Sequence, residues 1–255
     1  MRNKRSSETE ARTITITPGY LKHPEGSALI DVGDTRVICA ASVEYRVKDW
    51  MRGKGKGWIT AEYAMLPRAN ASRGLREGQF GRWPSSRSQE IQRLVGRCLR
   101  AAVWPRRIGE ITITVDCDVL QADGGTRTAS VTGGFVALAI ALDRLLRDKK
   151  IQPRPLACQI AATSVGVVGD EVLLDLDYRE DSSAAVDLNL AADDRGGIVD
   201  VQGTAEQAPF AADRLARMVE VGLGGVADLC RVQRETLAAI GIDLDALIER
   251  RKDDR

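Results

Sequence analysis

The chain has 255 residues and a mass of 27.7 kDa, with 44% hydrophobic and 29% charged residues, a balance that excludes a disordered or fibrous protein and suits one large domain or two small fused ones. No run of about 18 apolar residues occurs, and no apolar segment follows the charged start MRNKRSSETEAR, so neither a membrane span nor a secretory signal is expected. Five scattered cysteines without a C-x-x-C pair argue against disulfide frameworks and zinc clusters and point to a reducing cytoplasm, and a single histidine, His23, excludes two-histidine metal sites; His23 reads as structural.

The N-terminal third reads as β. Ile14 and Ile16 alternate with threonines, and Ser27–Val32 and Arg36–Val43 flank a Gly33-Asp34 turn in the pattern of a hairpin. Residues 45–84 carry few strand or helix signals; they hold the tract Gly53-Lys54-Gly55-Lys56-Gly57 and an arginine loop, 68–82, punctuated by Gly74, Gly78 and Gly81. A connection that long is expected to be functional or disordered, and its charges argue that it meets an anionic partner. A helix follows, with Pro84, Ser85 and Ser86 as its start and Ser86 and Gln89 at capping-box spacing. Its stripe of Ile91, Leu94, Val95, Cys98, Leu99 and Ala102 faces a core, and Arg87 sits in the first turn, where a helix favours anions.

Ile111–Val119 alternates as a strand, Gly124-Gly125 ends it, and a helix runs from Thr128 to Leu146. Gly133 and Gly134 inside that helix predict close packing against a neighbour. A second strand pair, Ile160–Val168 and Val172–Tyr178, surrounds Gly169-Asp170 and repeats the earlier V-G-D turn, which suggests an internal duplication. Val186–Leu190 and Ile198–Val201 follow, joined by an Asp193–Gly197 turn, and the chain from Pro209 onward is helical up to the charged tail Glu249–Arg255. The fold class is α+β with mixed sheets.

A formal net charge of +1 conceals a strong asymmetry. Between Arg68 and Arg107 stand ten arginines and no lysine against Glu77 and Glu90, a balance of +8; between Asp175 and Asp213 stand ten carboxylates against Arg179 and Arg195, a balance of −8. Arginine without lysine favours two-pronged phosphate contacts over a merely solvated face. In the tract DCDVLQADGGTRTAS (116–130) a strand passes through a glycine turn into a helix start, gathering free backbone N–H groups, hydroxyls and Arg127 into a candidate anion site. No Walker loop or G-x-G-x-x-G accompanies it. Asp181 and Asp187, six apart in the acidic block, are candidates for a hard cation such as Mg²⁺. Asp116 and Asp118 are rival carboxylates that share one strand face.

The tracts GWITAEYAMLPR (57–68), EIQRLVGR (90–97), DCDVLQADGGTRTAS and VQGTAE (201–206) together resemble the bacterial ribonuclease PH family, in the same order and over roughly residues 11–240. The resemblance implies a ribosomal-protein-S5 domain-2-like fold, with 1–255 as a single domain ending in a charged extension, 241–255. It implies a phosphate-dependent 3′→5′ exoribonuclease that trims tRNA precursors and other RNA 3′ ends, assembled in the cytoplasm as a homo-hexamer, a trimer of dimers. Phosphate binding then falls on Arg87, Gly125, Thr126 and Arg127, catalysis on Arg87, Arg127, Asp181 and Asp187, Mg²⁺ on Asp181 and Asp187, and RNA on Arg68, Arg73 and Arg76. Ser85-Ser86-Arg87-Ser88 departs from the family's Gly-Gly-Arg-Thr but keeps the arginine and a hydroxyl. A silent RNA-binding ring subunit and a hydrolytic metal-dependent exonuclease are the alternatives; loss of the arginines or carboxylates would mark the first, and monophosphate products the second.

Overall fold

Alternating burial builds two sheets, seen in a computed structural model that describes residues 5, 7–77, 84–206 and 208–250. The first contains β1 (Ile14–Pro18), β2 (Gly26–Val32), β3 (Thr35–Glu44), β4 (Trp58–Met65) and β5 (Thr112–Gln121) in the order β1-β2-β3-β5-β4. Its pairs are antiparallel except β4 with β5, which run parallel because helix α1 (Ser86–Ala101) crosses over between them. Strand β4 lies within 45–84, the stretch that carries few strand or helix signals. Ile59, Ala61 and Tyr63 point inward while Thr60 and Glu62 point away, a short alternation masked by the glycine tract before it and the arginine loop after it. The loop's Gly78, Gly81 and Arg82 lie outside the described residues.

The second sheet contains β6 (Ile160–Val168), β7 (Glu171–Leu174), β8 (Val186–Asp193) and β9 (Ile198–Ala205), all antiparallel, in the order β7-β6-β8-β9. Both hairpins turn on a left-handed glycine, Gly33 at φ +56° and Gly169 at φ +62°. They sit differently in their sheets: β2 and β3 both have outer neighbours, β1 and β5, whereas β6 continues to β8 and β7 is an edge strand. β7 stops at Leu174 rather than Tyr178, because Asp177 caps a short helix, α4 (Tyr178–Ser183), by accepting from the Arg179 and Glu180 amides at 3.0 Å each.

Helix α1 is capped one residue earlier than its sequence suggests: Ser85 Oγ accepts from the Ser88 amide at 3.1 Å, and the Gln89 side chain donates to the Pro84 carbonyl instead. After the four-residue α2 (Pro105–Ile108) and β5 comes α3 (Thr126–Arg147), which lies against β2 and β3 and reaches β6. A Cβ on Gly133 would sit 2.7 Å from Ile30 Cγ2, so the expected close packing is real there, while Gly134 meets only ordinary contacts from 3.4 Å outward. An 18-residue window of α3 reaches a mean hydropathy of 1.5, enough for a membrane span by composition, but 78% of it is buried inside the protein.

Helix α5 (Ala212–Ala239) covers β6, β7 and β8, with Gly222 against Leu190 and Gly225 against Leu174. The two sheets are tied by buried Gln233, which donates to the carbonyls of Thr132 on α3 (2.9 Å) and Ile160 on β6 (3.0 Å). The C-terminal extension is not a loose appendage up to Arg250. Leu244 and Leu247 of α6 (Leu244–Leu247) and Ile248 are buried in the main core, and Arg250 grips Asp194 at 2.6 and 3.0 Å. Residues 251–255 of the tail lie outside the described residues, as do 1–4 and 6 at the start. His23 is exposed and all five cysteines are free thiols.

Candidate active site

The basic and acidic blocks meet at one cleft of about 550 Å³. Helices α1 and α3 bring their N-termini to it, each with an arginine as its second residue: Arg87 and Arg127. The first-turn amides of a helix have no carbonyl a turn ahead to bind, so both ends favour an anion, and the arginines add full charges at the same place. Opposite stand Asp181 of α4 and Asp187 of β8. Four residues spread over a hundred positions thus share one wall-to-wall site.

The Arg127 guanidinium, 18% exposed, makes only long contacts among the described residues, 3.2 Å to Glu90 Oε1 and 3.3 Å to Gln202 Oε1. Arg87 is exposed and, among the described residues, has no ion-pair partner. Burial pushes the Asp181 carboxyl up, while Arg87 and Arg127 pull it back and Glu206 adds to the rise. Burial and then repulsion from Asp181 push Asp187 up to about 6, against the pull of Arg127 and a hydrogen bond from Asn189. The site therefore holds two arginines poised for an anion and two carboxylates that resist being charged together.

Gly124 and Gly125 both adopt left-handed backbone, at φ +76° and +67°, which turns β5 sharply into α3. Gly125 and Thr126 are not among the residues that line the cleft. The Thr126 hydroxyl, expected to face an anion, instead meets Tyr63 Oη of β4 at 2.9 Å in a buried contact. Burial raises the Tyr63 pKa, with Thr126, Arg87 and Arg127 pulling the other way. Arg68, Arg73 and Arg76 are exposed on the loop after β4 and do not line the cleft. The loop is anchored by the Leu66 amide on the Val119 carbonyl and by the Ala122 amide on the Ala69 carbonyl, both 2.9 Å. Asp116 and Asp118 face away from the cleft beside Glu62; burial and Glu62 raise both, Asp116 to about 6.

Asn189, Gln202, Thr204 and Glu206 also line the cleft, with no role assigned to them by sequence. Their signal is period two: Asp187 and Asn189 share a face of β8, and the register pairs them with Thr204 and Gln202 of β9. Tyr63 shares the inward face of β4 with Ile59 and Ala61, but nothing in that alternation announces its contact with Thr126.

Two sheets, with the N-termini of α1 and α3 facing an acidic strand and short helix, define a fold shared with exosome core subunits. The structure of the Archaeoglobus fulgidus exosome with RNA bound to the active site matches with a TM-score of 0.74 at 20% identity, covering 89% of this chain and 90% of that one. An archaeal exosome core matches at 0.70 and 19%, covering 90% and 89%. The model for domain 1 of the 3′ exoribonuclease family matches residues 10–142, and that for domain 2 matches 158–225. The chain belongs to this family. Ribonuclease PH of Bacillus cereus (strain AH820) is 50% identical over 241 residues, 94% of this chain and 98% of the relative.

Proposed function

We propose that the cleft is where this protein, a phosphate-dependent 3′→5′ exoribonuclease of tRNA precursors, performs phosphorolysis, with inorganic phosphate held between Arg87 and Arg127. The observation that carries this assignment is the convergence of both arginines and both aspartates on one cleft in a chain of this family. An oxygen of the bound phosphate forms a bond to the phosphorus of the last phosphodiester, and the bond from that phosphorus to the preceding 3′-oxygen breaks. The products are a nucleoside diphosphate and an RNA one nucleotide shorter, with the proton of the attacking phosphate ending on the new 3′-hydroxyl.

Two phosphates repel, so the chain's main task is to place them in line and neutralise them. Arg87, Arg127 and the first-turn amides of α1 and α3 do so, and Gly125 and Thr126 set the turn that aims Arg127. Asp181 and Asp187 suit a Mg²⁺ ion: both are oxygen donors lining the cleft, burial raises the pKa of each, and Asp181 raises that of Asp187 further, a cost that a divalent cation relieves. When bound, that ion supplies charge stabilisation at the scissile phosphate. A carboxylate with a pKa as high as that of Asp187 also suits proton transfer to the leaving oxygen. Arg68, Arg73 and Arg76 grip the RNA backbone, with affinity that falls as salt rises.

The working particle is a homo-hexamer in the cytoplasm, a reading that five free thiols support for the compartment. The test is to incubate protein, Mg²⁺ and a 3′-extended tRNA with and without inorganic phosphate and to identify the released nucleotides. Diphosphates appearing only with phosphate support the assignment. Monophosphates without phosphate, or intact RNA binding with no product, overturn it.

A further inference from the structure

Resting on that reading, we propose that Arg12 and Asp175 are positioning residues: a buried ion pair that locks the glycine turn before α3 to the segment carrying the carboxylates of α4. The cleft is assembled from two separate parts of the chain. Arg87 and Arg127 come from helices attached to the first sheet, Asp181 and Asp187 from the second. Something must fix the distance between them, because a misplacement of about 1 Å can cost a hundredfold in rate.

Arg12 stands at that joint. Its Nε and Nη2 bind the two oxygens of Asp175 at 2.9 and 2.6 Å, and its amide adds a third bond at 2.8 Å. The remaining fork nitrogen, Nη1, donates to the carbonyl of Asp123 at 2.6 Å, one residue before the Gly124-Gly125 turn. Both side chains are 7% exposed. Burial weakens the Arg12 charge, but the bond and charge of Asp175 outweigh it and hold the guanidinium protonated.

Contacts around the pair point the same way. Gly124 is pressed so closely on the 176–178 backbone that a Cβ there would lie 2.5 Å from the Leu176 carbonyl oxygen. Asp177, two residues beyond Asp175, caps the helix that carries Asp181. Asp175 itself is held at φ +54°, a left-handed conformation that an aspartate adopts at some cost and that its three bonds to Arg12 maintain. An apolar pair of similar volume would stabilise such a joint as well as an ion pair does. It would not hold the Asp123 carbonyl, and so would not aim the turn.

The test compares Arg12→Lys, Asp175→Asn and the apolar double variant Arg12→Met/Asp175→Leu in the full-length enzyme, varying phosphate and tRNA separately. Thermal melting and assembly state are measured on the same samples. Positioning predicts a phosphate KM raised about tenfold or more with a reduced kcat, an RNA KM within about twofold of the parent, and the same split in the double variant even where its melting temperature recovers. The proposal is overturned if the folded variants keep the parental phosphate KM and kcat, or if activity merely tracks the folded fraction in all three. Arg127→Ala, run alongside, separates the two readings: an unaffected Arg127→Ala refutes the anion site itself, whereas its loss beside an intact Arg12→Lys refutes only the positioning role.

Discussion

Removing the Arg127 side chain tests the cleft most directly. A guanidinium offers phosphate two parallel charge-assisted bonds, each contributing about 1.5–3 kcal/mol. The structure places Arg127 toward the low end of that range. It is 18% exposed, so the site is partly screened, and Arg87 remains to hold the anion. Its present contacts at 3.2 and 3.3 Å are long, so little is lost in releasing Glu90 and Gln202. About 3 kcal/mol in total corresponds to roughly a hundredfold loss in kcat/KM for phosphate. Arg127→Ala also removes a charge that lowers the Asp187 pKa, so Asp187 becomes harder to ionise and the pH profile moves upward. Arg127→Lys keeps the charge without the fork and should recover part of the loss. The assay is diphosphate release at saturating tRNA across a phosphate series. A kcat/KM within about threefold of the parent in Arg127→Ala would refute the reasoning, because no geometry that uses the fork tolerates its removal.

Gly124→Ala should strain a left-handed turn by about 1–2 kcal/mol and drive a methyl into the Leu176 carbonyl, raising the phosphate KM more than the RNA KM in the same kinetic series. Gln233→Leu removes its bonds to the Thr132 and Ile160 carbonyls and to the Gln159 side chain, which keeps its bond to the Cys230 carbonyl, so thermal unfolding should report a loss of about 1–3 kcal/mol in all, while an unchanged melting temperature would refute the bridging role. For pH, Asp187 binds its proton more tightly folded than unfolded. In Mg²⁺-free buffer its contribution to stability is present below the ordinary carboxylate range and is lost as pH rises to about 6; denaturant titrations should show this dependence shrink in Asp187→Asn. Asp194 has the opposite sign: Arg250 holds its pKa down against burial, so that contribution is lost as pH falls, and Asp194→Asn should flatten the acid limb of the same titrations.

The hairpin turns, the α1 stripe, β5 and α3 are legible because local patterns fix them: left-handed glycines mark turns, and apolar spacing of two or about 3.6 marks buried faces. β4 was hidden, since its short alternation takes meaning only from pairing with β5. The two charge blocks located both sides of the cleft, because the residue types of phosphate chemistry stand out in composition alone. Which members of those blocks meet was settled by packing. The Thr126 hydroxyl went to Tyr63, Asp116 and Asp118 went to the far face of β5, and Asn189, Gln202 and Thr204 came into the cleft through strand register. The joint between Arg12 and Asp175 spans 163 positions, and nothing local in either residue announces it. Sequence by itself determined the elements and the chemistry at hand, since both depend on near neighbours and residue type; tertiary structure alone decided which charges face each other, since that follows from how two sheets close on α3.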